Sequence, residues 1–139
     1  MIQQGQTTIF KQNCLSALEN FAAGTSYVYR IALYTALADL GPSTLVYTTD
    51  GEITGTGYTA GGKVLTPIVP ASSGTTAFVS FQNVTWDPAS FTARGALIYN
   101  DTTNAAVAVL DFGSDKTASS TFTVTFPTAT ASDAIIRLS

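Results

Sequence analysis

Nine acidic residues carry most of the reactive chemistry available to this chain, because histidine is absent and cysteine occurs once, at Cys14. That composition removes disulfides, thiol-and-imidazole zinc sites, and Ser-His or Cys-His nucleophile pairs together. The carboxylates left to consider are Asp50 with Glu52, Asp87, and Asp111 with Asp115. Glycoside hydrolysis needs two carboxyls about 5–9.5 Å apart on opposite sides of a sugar, and nothing in the sequence brings such a pair together. Each of these residues sits beside Gly, Pro or a strand end, where turn chemistry favours Asp. Asp111-Phe-Gly-Ser-Asp115 hints at a calcium loop but lacks the further acidic ligands and terminal Glu of one. The expectation is therefore no enzyme, and no catalytic, cofactor-binding or metal-ligating residue.

The remaining motifs have structural readings. Trp86 with the tyrosines has the chemistry of a sugar-binding platform, but a lone Trp at a strand end is expected in the core or a subunit interface. Cys14 is expected to act as a small core hydrophobe. The glycine-rich stretch Gly51 to Gly62 lacks the Lys-Ser/Thr of a phosphate loop and opens no helix. Asn83-Val-Thr85 and Asn100-Asp-Thr102 match the glycosylation sequon, which has no meaning without a secretory signal.

The elements that would position these residues are bounded by composition. At 139 residues the chain is expected to form one domain, 1–139, around a single core. Only 11% of residues are charged, less than half the usual quarter, so its surface must be built from Thr, Ser, Ala, Asn and Gly. Net charge is −3, and Lys11, Arg30, Lys63, Arg94, Lys116 and Arg137 are scattered singly, so nucleic acid is not an expected partner. The first residues have no cationic flank or apolar run, and no stretch approaches a membrane span. Folding in a cytosol, with no membrane partner, is expected.

Residues 1–8 read as a polar arm, loose unless a partner orders it. Phe10, Cys14, Ala17, Leu18, Phe21 and Ala22 then form one apolar stripe, which predicts a helix over 9–22, capped by Thr7 or Thr8 and stopped at Gly24. Strands fill 27–138. Tyr27, Tyr29, Ile31 and Leu33 share one face of the first, and Thr44–Thr49 reads as a short strand. Residues 50–62 are a long loop or a twisted edge hairpin, and Pro67 and Pro70 confine Lys63–Val69 to an edge. Ala71 to Gly74 is expected as a turn, Thr76–Gln82 as a strand, and Ser114–Ser120 as a polar loop. Phe122, Val124 and Phe126 point inward between outward threonines, and Ala134, Ile136 and Leu138 make a last strand.

The centre is the hairpin from Arg94 to Gly113, with Asn100, Asp101 and Asn104 in its connector. Ala106, Ala108, Leu110 and Phe112 are expected on one side of its second strand, and Val107 and Val109 on the other. Both faces are apolar. Leaving Leu97, Val107 and Val109 bare would forgo roughly 4–9 kcal/mol in total, so the helix, a second sheet or a partner subunit must cover the second face. About eight antiparallel strands with one N-terminal helix indicate an all-β sandwich or barrel.

Taken together, Arg30-Ile-Ala-Leu-Tyr-Thr35, Gly55-Thr-Gly-Tyr-Thr-Ala-Gly-Gly62, Thr92-Ala-Arg-Gly-Ala-Leu-Ile-Tyr-Asn100, Ala106-Val-Ala-Val-Leu-Asp-Phe-Gly113 and Phe122-Thr-Val-Thr-Phe-Pro127 resemble short virion structural proteins of tailed bacteriophages. Within that group the chain most resembles the jelly-roll cement (capsid decoration) proteins of short-tailed phages. The resemblance covers nearly the whole chain. It implies a jelly-roll-like β-sandwich on the outside of an icosahedral shell, clamping neighbouring major capsid protein subunits, with the virion as its location. The matching segments are structural, so no catalytic residue carries over. A homodimer or other homo-oligomer is expected, with the second face of the 94–113 hairpin or the 10–22 helix meeting a symmetric copy, while loop 50–62 and arm 1–8 touch the shell. A phage tail or fibre component and a carbohydrate-binding β-sandwich module are the alternatives.

Overall fold

Alternating and continuous apolar runs dominate this sequence, and the computed structural model, which describes residues 1–139, is accordingly built on strands. In chain order they are β1 (Gly5–Gln6), α1 (Thr8–Leu15), β2 (Tyr29–Tyr34), β3 (Lys63–Leu65), β4 (Ala71–Ser73), β5 (Thr76–Val79), β6 (Val84–Trp86), β7 (Phe91–Asn100), β8 (Ala106–Ala118), β9 (Phe122–Val124) and β10 (Ile136–Leu138). This is the expected all-β, sandwich-like fold with one N-terminal helix, and its paired strands are antiparallel. Ten strands form where about eight were expected.

The main sheet has the order β1-β8-β7-β2-β3, so β7 is its central strand. A second layer consists of a three-stranded sheet, β10-β5-β4, and a two-stranded one, β6-β9. On the face towards that layer, Tyr29, Ile31 and Leu33 of β2, Ala96 and Ile98 of β7, and Ala108 and Leu110 of β8 pack with Phe10, Phe81, Trp86 and Phe122. On the opposite face, Ala32, Tyr34, Leu97, Tyr99, Ala106 and Val109 pack against Ile2, Ala38 and Leu40.

The doubly apolar hairpin is thus buried on both sides, with Leu97, Val107 and Val109 fully enclosed. Its second face is covered by the N-terminal arm and the connection after β2, which are irregular parts of the same chain. The expectation that this face meets a symmetric copy is therefore corrected. So is the loose arm: Ile2 bridges to Leu40, and Gly5 and Gln6 pair with Val109 and Ala108. A register shift between Ile98 and Tyr99 adds one residue to β8. Val107 consequently packs with Ala108 and Leu110, and Ala106 with Val109, rather than in simple alternation.

The helix is shorter than its stripe suggested. Thr7 caps it, its side chain accepting from the Phe10 N–H at 3.2 Å, and it ends at Leu15. Ala17 then turns left-handed (φ 57°), and the N–H groups of Ala17 and Leu18 close back on the carbonyls of Cys14 and Asn13. Phe21 reaches the same core from the following loop, stacked on Tyr29 at 4.3 Å. Cys14 is half-buried there, and burial raises its thiol pKa.

Three further boundaries move. Thr44–Thr49 makes only a bridge from Val46 to Ala105. Ala71–Ser73 is a strand, paired with β5 across a turn at Gly74 and Thr75. The expected loop 114–120 is largely strand, because Lys116, Thr117 and Ala118 rejoin β7 after Phe112–Asp115 bulge away opposite Arg94. Loop 50–62 and the inward Phe122, Val124 and Phe126 are as expected, while the edge strand expected over 63–69 forms only at Lys63–Leu65.

Two substitutions test this packing. Leu97→Ala lowers the unfolding free energy by about 2–5 kcal/mol in urea denaturation, the cost of a cavity at a fully enclosed site. Ala17→Gly relieves the left-handed backbone and raises stability by about 1 kcal/mol. An unchanged urea midpoint for either would contradict the corresponding geometry.

Candidate functional site

The five acidic residues of catalytic interest go to different places. Asp50 is exposed at a turn, where its N–H donates to Thr48 Oγ1 at 3.1 Å. Asp87 and Asp115 are exposed. Asp111 accepts from the Gly113 N–H at 2.9 Å and from Arg94 Nε at 3.2 Å, and these contacts hold its carboxyl below the ordinary range. No group of three or more His, Cys, Asp or Glu side chains converges to hold a metal ion. Trp86 is 1% exposed, walled by Tyr58, Phe91 and Phe122, with Lys63 Nζ 5.8 Å from its ring centroid. It offers no surface platform for a sugar.

Glu52 is the exception, and its surroundings were not legible in the sequence. Its carboxylate accepts from the hydroxyls of Tyr47 and Tyr58, each at 2.5 Å, and from the Gly61 N–H at 2.8 Å. The Tyr58 oxygen in turn accepts from the Leu33 N–H at 3.0 Å, and the Tyr99 hydroxyl donates to the Gly61 carbonyl at 2.6 Å. Burial first, then hydrogen bonding to Glu52, pushes the Tyr47 and Tyr58 phenols far up. Burial and Asp101 bring Tyr99 to about 12. All three are neutral donors at physiological pH.

With three donors on one carboxylate, this cluster is a clamp. It ties the glycine-rich loop 50–62 to β2 and β7. Gly62 is required at its foot, since a Cβ there would collide with the Ile31 carbonyl, and its φ of 77° suits glycine. In the sequence Glu52 and Tyr58 lie within the glycine run and Tyr47 just before it, but Tyr99 comes from β7, far along the chain. Glu52→Ala leaves these donors without their acceptor and lowers stability by about 3 kcal/mol, whereas Asp50→Ala changes it by less than about 0.5 kcal/mol. Equal effects in urea denaturation would contradict the clamp.

A second titratable group lies beside α1. Glu19, Cys14, Phe10, Phe21, Phe78 and Ile136 help to line an apolar cleft of about 150 Å³. Glu19 accepts from the Tyr29 hydroxyl at 2.9 Å through one oxygen, while the other is buried without a hydrogen bond. Burial raises this carboxyl's pKa, against the lowering effect of Tyr29, Asn100 and Asn13. A raised folded value makes its stabilising contribution complete below the ordinary 4.5 and lost as pH climbs through the raised value. Glu19→Gln therefore gains stability relative to the native chain as pH rises from about 4 to about 7. A melting difference that is flat or reversed over that range would contradict this burial.

The third feature is a surface. Around the tip of the central hairpin, Asn100 Nδ2 donates to the Leu18 carbonyl at 3.5 Å, the Asp101 N–H to the Val28 carbonyl at 2.7 Å, and the Ala106 N–H to the Leu45 carbonyl at 2.9 Å. The side chains of the residues whose carbonyls these bonds hold are open, Leu18 44% exposed, Val28 37% and Leu45 61%, as is that of Val46 at 49%. Exposed aliphatics also occur away from the tip, at Leu37, Val64, Val69 and Leu138, and those that share one patch mark a contact surface.

No helix of the structure is long and apolar enough to cross a membrane. Comparison of the chain with protein-family models, curated proteins and solved structures gives no match.

Proposed function

We propose that this chain is a structural virion protein, a cement or decoration protein that binds the outside of a phage shell and clamps adjacent major capsid protein subunits without catalysing a reaction. The observation that carries the reading is the exposed aliphatic group at the hairpin tip, Leu18, Val28, Leu45 and Val46, set on a scaffold whose own core is covered. It adds to the sequence resemblance a surface suited to a partner. The clamped loop 50–62 supports it too, because a clamp that holds against shell strain needs ordered loops.

Of the alternatives, the carbohydrate-binding module loses its Trp86 platform to the core. A tail or fibre component remains a matter of location, which stoichiometry decides. Quantitative mass spectrometry of purified particles is expected to give a copy number within a few-fold of the major capsid protein. A far lower number would move the chain to the tail, and its absence from particles would overturn the virion reading. Leu45→Asp is expected to leave the melting temperature within about 2 °C and to abolish binding to shells. Binding at native strength would remove the tip from the interface.

A further inference from the structure

A cleft of about 400 Å³ opens between the far half of β8 and β9, walled by Phe112, Lys116 and Thr117 on one side and Thr121, Thr123 and Thr125 on the other. Both walls are strand edges. Thr117 pairs with Thr92 of β7 and Thr123 with Thr85 of β6, their hydroxyls 2.8 and 3.0 Å apart. Neither Thr92 nor Thr85 reaches the cleft, so the cleft lies along the edges that face away from β7 and β6. β9 has β6 as its one neighbour, and β1 covers β8 only at Ala108 and Val109.

Backbone direction follows from alternation. The Phe126 N–H turns towards β6, donating to Asn83 Oδ1 at 2.8 Å. In an antiparallel ladder, residues of the other parity point the opposite way, which directs the N–H and C=O groups of Thr123 into the cleft, with Thr121 and Thr125 continuing the chain at either end of β9. A row of outward backbone groups at strand spacing is matched by another extended backbone, and β-branched neighbours suit cross-strand pairing. Lys116 is the one charged residue in the wall and makes no salt bridge.

We propose that this cleft is a strand-addition site, taking an extended peptide segment of a partner protein that pairs with the free edge of β9 and sets an acidic side chain opposite Lys116. A sugar or small metabolite would meet few of these repeating donors and acceptors. The inference is independent of the shell-binding reading, since it concerns the isolated chain and an edge formed by β8 and β9.

The test uses the full chain, isotope-labelled for NMR, titrated with a short capped peptide of alternating Thr and Val carrying one central Glu. Amide shifts confined to 116–118 and 121–125, with slowed exchange at Thr123 and Thr125, are expected. Thr123→Pro removes a donor that faces the cleft and breaks no ladder bond, so it keeps the fold while weakening the peptide by about tenfold or more. Lys116→Glu, at an exposed position, reverses the preference between peptides with central Glu and central Lys. The proposal is overturned if no peptide of this set shifts those amides at millimolar concentration, if the alternately N-methylated peptide binds equally well, or if Thr123→Pro leaves affinity unchanged. Shifts of the same amides by maltooligosaccharides instead of peptide would assign the cleft to a sugar.

Discussion

Every other part of this molecule is arranged around the need to keep water off both faces of β7. From Ala96 to Tyr99 the strand is 0–1% exposed, flanked by Ile31–Tyr34 of β2 and Ala106–Leu110 of β8, which send apolar side chains to both faces. Strands of this kind usually lie in parallel sheets between layers of helices. Here the sheet is antiparallel, and the cover is improvised from short pieces. Two small sheets and α1 close one face. Ile2 of the N-terminal arm and the segment from Ala38 to Tyr47 close the other. Each cover is tied to the hairpin by backbone bonds, such as the Thr7 N–H to the Val107 carbonyl at 2.9 Å and the Tyr47 N–H to the Asn104 carbonyl at 3.1 Å.

Using irregular chain as a cover has consequences for the surface. Loops that lie on a core must satisfy their own polar groups, which is the work of Glu52 and its tyrosines under loop 50–62, and of the fully buried Asn100, whose Oδ1 accepts from Thr102 and Thr103. Other connections, 16–28 and 41–49, meet the hairpin tip, where Leu18, Val28, Leu45 and Val46 stay exposed. At the opposite end of β8 the four-residue bulge at 112–115 takes the strand out of its ladder and leaves the threonine-walled cleft. Exposed aliphatics thus sit at one end of the long hairpin and the threonine-walled cleft at the other, and the middle is sealed.

Much of the fold was legible in the sequence because burial on one or two faces writes itself as alternation or as a continuous apolar run. Tyr29–Tyr34, Phe91–Asn100 and the inward Phe122, Val124 and Phe126 are of this kind. The failures share a cause: periodicity records what is buried, not the backbone that carries it. Phe21 continued the helical stripe of Phe10 yet arrives from a loop after Ala17 ends the helix. Ile2, in a polar arm, gave no sign of the docking that Leu40 and Met1 complete through their backbones. The Glu52 clamp and the β8–β9 cleft depend on residues far apart in the chain or on backbone edges, and neither leaves a local pattern.

The chain seals both faces of its hairpin unaided, and native-state hydrogen exchange of the isolated monomer measures that seal. The account predicts that the hydrogen-bonded amides of Ile31–Tyr34, Ala96–Asn100 and Ala106–Leu110 exchange together, by global unfolding, and more slowly than those of any other segment. Rapid exchange of the β7 and β8 amides in the monomer, slowed only when a second copy or a partner binds, would show that the arm and the 38–47 segment do not close the second face.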